Sequence, residues 1–146
     1  MDKRELDQLV KERIALLRKA PLFSRVNDKG LTAIARSAVV QEIDAGTKIV
    51  SEGKTGVGFY LILEGSVRVV RGEEELAVLK KGDFFGEMAL LDSEPRSANV
   101  IAIEDIRCLV LKRWDMKGIV ATNPEVALRM LEEVARRLRQ ADSELS

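Results

Sequence analysis

Histidine is absent from this chain of 146 residues, and that absence removes more chemistry than any other feature of the composition. Zinc sites and many general bases depend on imidazole, so conventional metal catalysis is not expected. Cysteine occurs once, as Cys108 in the apolar run Ile106 to Leu111, where a small buried hydrophobe is expected rather than a redox or catalytic thiol. Net charge is also missing. With 24 basic and 24 acidic residues, no strong overall field draws the protein towards nucleic acid or an anionic membrane, and any anion site has to be local. No apolar run approaches the roughly 20 residues that cross a bilayer. The opening MDKRELDQLVKERIALLRKA is charged and helical in period, unlike a signal peptide. A cytoplasmic protein without membrane association is expected. Internal repeats, low-complexity tracts and Gly/Ser linkers are lacking as well, so residues 1–146 are expected to form one domain around a single core.

What is present changes character along the chain. From Asp2 to Lys19 the residues Leu6, Leu9, Val10, Ile14 and Leu17 recur at steps of three and four, marking one face of a helix that Pro21 stops. Asn27 and Asp28 offer caps for a shorter helix bearing Leu31, Ile34, Ala35 and Ala38. The pattern then shifts. Val39 to Ile43, Thr47 to Val50, Gly58 to Leu63, Ser66 to Arg71, Leu76 to Leu79, Ser97 to Ile103 and Ile106 to Lys112 are short, β-branched-rich runs parted by glycines or charged turns. Asn123 and Pro124 read as the N-cap and first residue of a closing helix whose apolar stripe is Val126, Leu128, Leu131, Val134, Ala135 and Leu138. The expected fold is mainly β with flanking α. An eight-stranded antiparallel jelly-roll β-barrel over 39–112 would carry N-terminal helices over 1–38 and a C-terminal helix pair over 113–146. Trp114, at the strand-to-helix junction, reads as a packing anchor rather than a lid. The closing helix mixes arginines with glutamates, the pattern of a solvated face and not of a nucleic-acid stripe.

One segment fits neither strand nor plain loop. KKGDFFGEMALLDSEPRSA, residues 80–98, is too apolar around Met88 to Leu91 for solvent and too short for a strand pair. A turn, one helical turn and a return are expected. Gly86 lets backbone amides approach a ligand closely, and the amides that open the helical turn at Glu87, Met88 and Ala89 would make an anion site that needs no excess of basic residues. Arg96, nine residues after Glu87, can return to the same spot with two parallel N–H donors for phosphate oxygens, and Ser97 adds a hydroxyl. A glutamate beside a phosphate repels it unless it has another task, such as accepting bonds from a sugar hydroxyl. Taken singly, Glu87 would do no more than complement a helix dipole, and Arg96 no more than pair with Glu94 or Asp92 on the surface. Their joint spacing points to a nucleotide. Leu90, Leu91 and the Met88 side chain read more as core or hinge contacts.

These residues resemble the phosphate-binding cassette of the cyclic-nucleotide-binding domains shared by bacterial catabolite activator proteins, cyclic-nucleotide-dependent kinases and gated channels. The cassette, residues 84–98 here, runs Phe85, Gly86, Glu87, Met88, Ala89, Leu90 and then Arg96, Ser97, Ala98 without mismatch, and the stretch GFYLILEGSVRVV from Gly58 to Val70 looks like the family's strand, glycine turn and strand. The resemblance implies that Glu87 binds the ribose 2′-hydroxyl, Arg96 the cyclic phosphate, and the Gly86 and Ala89 backbones the ribose and phosphate edges. It further implies a base lid from the closing helix, for which Arg136, Arg137 and Arg139 are the candidates. Ser97 after the cassette arginine leans towards cyclic AMP (cAMP), with cyclic GMP (cGMP) as the other ligand.

A site of donors and one arginine, with no general base, metal or activated nucleophile, has the parts for binding and not for turnover. The function expected is a regulatory sensor without catalytic residues or cofactor, whose C-terminal helices respond to the ligand and pair with their copy in a homodimer. An effector domain or partner protein would receive the signal, and the end of the chain within helical sequence favours a fragment of a longer regulator. Two other classes fit the sequence less well. A cupin-like metalloenzyme would need the missing histidines, and a ligand-free interaction domain would be expected to have lost Glu87 or Arg96.

Overall fold

The computed structural model describes residues 1–145. The chain divides into a β unit, Ala38–Trp114, and a helical unit made from Met1–Ser37 together with the chain from Asp115 onward.

In the helical unit, Asp2 caps α1 (Lys3–Leu17) by accepting the Glu5 amide at 2.8 Å. A short 3-10 turn at Pro21–Phe23 replaces the helix once proline forbids its continuation. The Asn27 side chain accepts the Gly30 amide at 2.9 Å and so starts α2 (Asp28–Ser37). Two further helices follow, α3 (Arg113–Thr122) and α4 (Pro124–Leu145). The apolar stripe expected of α4 is two lines rather than one. Val126, Met130 and Glu133 are buried, while Leu128, Leu131 and Leu138 are 50%, 61% and 64% exposed. At about 100° per residue, positions 126, 130 and 133 share one side of a helix and 128, 131 and 138 lie on the other. No helix among the described residues is long and apolar enough to cross a membrane.

The β unit holds eight strands: β1 (Val39–Ile43), β2 (Lys48–Val50), β3 (Gly58–Glu64), β4 (Ser66–Arg71), β5 (Glu74–Lys80), β6 (Phe84–Phe85), β7 (Asn99–Ala102) and β8 (Ile106–Lys112). They form two four-stranded antiparallel sheets in the orders β1-β8-β3-β6 and β2-β7-β4-β5, the crossed order of a jelly roll. Ile62, Cys108 and Val110 from the first sheet and Val67, Val100 and Ala102 from the second meet in one buried cluster, which is why their strands alternate or run apolar. Burial pushes the Cys108 thiol up to about 11, so it is held protonated as a small core hydrophobe.

Two further features depart from the sequence reading. Strand β6 has only two residues, too few for any periodicity, and is made by pairing Phe84 with Leu61 and Phe85 with Tyr60. Trp114 is 58% exposed, with the Lys112 ammonium 5.2 Å from its ring centroid. It is a surface residue under a cation rather than a core anchor.

Candidate functional site

The site begins where β6 ends. Phe85 stacks on Tyr60 with ring centroids 4.8 Å apart and planes 5° from parallel, which fixes the point at which the chain leaves the sheet. Gly86 then takes φ 81° and ψ 16°, a left-handed conformation that costs other residues free energy. A Cβ on Gly86 would lie 2.3 Å from the Gly58 carbonyl oxygen, so closeness to β3 also demands glycine. Glu87–Leu90 form a single 3-10 turn, in which the Ala89 amide donates to the Gly86 carbonyl at 3.1 Å. Ala89 and Leu90 are buried and anchor the turn, whereas Met88 and Leu91 are 43% and 42% exposed. Of the three residues read as packing contacts, only Leu90 is in the core.

The segment returning to β7 is clamped to the β2–β3 loop. The Arg96 amide donates to the Lys54 carbonyl at 2.9 Å, the Gly53 amide donates to the Arg96 carbonyl at 2.8 Å, and Thr55 bridges Pro95. Arg71 donates to the Ser97 carbonyl at 3.0 Å. These bonds deliver the Arg96 side chain to the gap between loop and cassette, where its Nη2 donates to the Gly58 carbonyl at 3.1 Å. Its Nε is buried and has no hydrogen-bond partner among the described residues. Arg96 joins no carboxylate among the described residues, Glu94 and Asp92 included. Burial pushes its pKa down, opposed by Tyr60 and Asp92 and reinforced by Arg113. Tyr60 is pushed up by its own burial, against the pull of Arg96.

All six residues singled out for ligand contact in the sequence, Gly86, Glu87, Met88, Ala89, Arg96 and Ser97, line one pocket of about 360 Å³. A second hollow of about 200 Å³, lined by Lys54, Thr55, Gly56, Tyr60 and Arg96 among others, lies on the loop side, so Arg96 is the wall the two share. The lid candidates sit apart from this group in the chain. Arg136 binds Glu133 through Nη2 at 2.7 Å and Nε at 3.0 Å, and Arg137 reaches the same carboxylate at 3.4 Å. Arg139 is exposed on α4.

Sequence reasoning missed two participants. A Cβ on Gly56 would stand 2.1 Å from Arg96 Nε and 2.3 Å from Nη2, so Gly56 is the bed on which the guanidinium lies. Arg113 donates from Nε to the Ala89 carbonyl at 2.9 Å and from Nη2 to the Gly56 carbonyl at 2.7 Å. The Gly-Val-Gly spacing at 56–58 was a signal for close backbone approach. Arg113 carried none, because its place is set by the pairing of β3 with β8, Gly58 opposite Lys112.

The arrangement offers an arginine, a backbone turn opening at a glycine, a hydroxyl and the carboxylates of Glu87, Asp92 and Glu94 around a pocket large enough for a small polar molecule. No group of three or more His, Cys, Asp or Glu that could hold a metal is found among the described residues.

Residues 40–123 match the model of the cyclic nucleotide-binding domain. The chain is 31% identical over 147 aligned residues, 95% of its length, to isozyme 1 of the cGMP-dependent protein kinase of Drosophila melanogaster, of which it spans 19%. It is 43% identical over 105 residues, 68% of its length, to the cyclic AMP receptor protein of Thermus thermophilus, of which it spans 49%. Among solved structures, the N-terminal domain of a transcriptional regulator from Streptomyces coelicolor superposes with a TM-score of 0.82 at 32% identity, covering 90% of this chain and 94% of that one. The chain thus spans about half or less of these two curated relatives.

Proposed function

Because the chain belongs to the cyclic nucleotide-binding domain family, we propose that it is a non-catalytic sensor that binds cAMP in the pocket between Gly86 and Ser97. The observation that carries this reading is the Arg96 guanidinium, half-buried with an orphan Nε and no carboxylate partner among the described residues. A half-buried guanidinium whose Nε finds no partner, and whose charge no carboxylate pairs with, among the described residues favours an anionic ligand. In this reading the cyclic phosphate takes the Arg96 donors and the Glu87 carboxylate accepts from the ribose 2′-hydroxyl. Ser97 faces the phosphate with its hydroxyl. The cassette draws inwards on binding, and the α3–α4 segment, which leaves the β unit at Trp114, transmits the change to an effector domain or partner. Such a response needs the ligand to prefer one arrangement by roughly 1–3 kcal/mol.

A homodimer is part of the proposal. Leu128, Leu131 and Leu138 are exposed at spacings of three and seven, the seam spacing of a coiled coil, and a second copy of α4 would cover them.

Calorimetric titration with cAMP and with cGMP tests the ligand. Binding of cAMP in the micromolar range or tighter, with cGMP weaker, is expected. Binding of neither nucleotide sinks the sensor reading, and preference for cGMP sinks the choice of base.

A further inference from the structure

Arg113 is a partly buried polar side chain of the β unit to which nucleotide recognition assigns no task. Its Nε holds the Ala89 carbonyl at 2.9 Å and its Nη2 the Gly56 carbonyl at 2.7 Å, both bonds partly buried. These carbonyls belong to opposite walls of the gap that Arg96 enters. Ala89 lies in the cassette turn, and Gly56 lies in the β2–β3 loop, 57 residues before Arg113. Arg96 touches the same two walls, with Gly56 against its Nε edge and Gly86 against its Nη2. Neither arginine forms an ion pair with a carboxylate among the described residues. The two cations oppose each other electrostatically, and an anion beside Arg96 relieves that opposition.

We propose that Arg113 is a positioning residue for the phosphate of the ligand: by pinning the Ala89 and Gly56 carbonyls together it sets the width of the cleft in which Arg96 meets the phosphate. The planar fork of arginine can hold two carbonyls at once in fixed geometry, whereas a lysine ammonium on its flexible stem cannot fix both. The charge alone is therefore not the function. This inference rests on the reading of the site as a cyclic-nucleotide cradle.

The test uses the intact chain and the variants Arg113→Gln, Arg113→Lys, Arg96→Ala and, as an exposed neighbour, Lys112→Gln. Each is titrated with cAMP and cGMP, melted without ligand, and examined by phosphorus NMR at saturating cAMP. Arg113→Gln and Arg113→Lys should each weaken whichever nucleotides the intact chain binds by roughly tenfold, the scale of lost hydrogen bonds to a charged group. Lys112→Gln should bind as the intact chain does. The phosphorus resonance of the bound nucleotide should move back towards its free position in both Arg113 variants, a change that a loss of stability alone would not produce. Should Arg113→Gln not fold, Arg113→Lys decides by itself. Binding by Arg113→Lys equal to that of the intact chain, or weakened binding with an unmoved bound resonance, overturns the pinning role. Binding by the intact chain and its loss in Arg96→Ala report on the cradle itself, so the two failures are distinguishable.

Discussion

The Nη2 of Arg96 donates to the carbonyl of Gly58 at 3.1 Å, and through this bond the side chain proposed to meet a phosphate rests on the first residue of β3. A single bond to a neutral carbonyl is a modest hold for a guanidinium, and a phosphate offers two charge-assisted bonds in its place. Arg96→Ala should therefore cost about 2–5 kcal/mol of nucleotide affinity, the scale for breaking a buried charge-assisted pair. Calorimetry beside Arg107→Ala, which loses only an exposed pair with Glu64, checks it. Equal affinities in the two variants would remove Arg96 from the site.

Gly56 and Gly86 should fail differently. Gly56 is not among the glycines with positive φ, so alanine there is opposed first by the Arg96 guanidinium and not by backbone strain. Nucleotide affinity should fall more than tenfold while stability falls by about 1–3 kcal/mol, the range for overpacking. Gly86 combines φ 81° with a Cβ position 2.3 Å from a backbone oxygen. Gly86→Ala adds to the clash about 1–3 kcal/mol of backbone strain and should unfold at a lower denaturant concentration than Gly56→Ala. Coincident unfolding curves would contradict the difference.

Glu133 is buried on α4, and the hydrogen bonds from Arg136, assisted by Arg137, hold its carboxyl below the ordinary value of 4.5 against the cost of burial. A carboxylate whose folded pKa is depressed contributes stability that is fully present above its unfolded pKa and is lost as pH falls through the folded value. The stability difference between the intact chain and Glu133→Gln should be constant from pH 7 down to about 5 and should shrink below the ordinary carboxylate range. Denaturant unfolding across that series checks the sign. A gap that widens in acid would contradict it.

Leu131 and Leu138 are 61% and 64% exposed, and burying each leucine in a dimer seam would contribute roughly 1.5–3 kcal/mol. Replacing both by glutamate should convert a dimer to a monomer in sedimentation at micromolar concentration, with the melting temperature of the β unit unchanged. A monomeric intact chain would refute the seam.

Much of this molecule is legible in local pattern. The bounds of β1, β4 and β8 follow from runs of β-branched residues closed by turns, and the starts of α2 and α4 from Asn27 and from Asn123 with Pro124. Elements of that kind are set by neighbours within a few positions, which the amino-acid order itself displays. The six residues expected to contact a ligand come together at one pocket for the same reason, since Gly86 to Ser97 is one short stretch of chain that closes on itself.

What the order of residues determined by itself is the chemistry available: no imidazole, one thiol, and a glycine, a glutamate and an arginine within one short stretch. What only the tertiary structure decided is where that chemistry is held. Strand β6 exists because β3 offers it hydrogen bonds. Trp114 stands in solvent, and the leucines of α4 part company with its buried face. Arg113 joins Gly56 to Ala89 because β3 and β8 lie side by side in a fixed register. Contacts between residues tens of positions apart depend on sheet order and strand register, which the burial of the whole core selects, and no local pattern contains them.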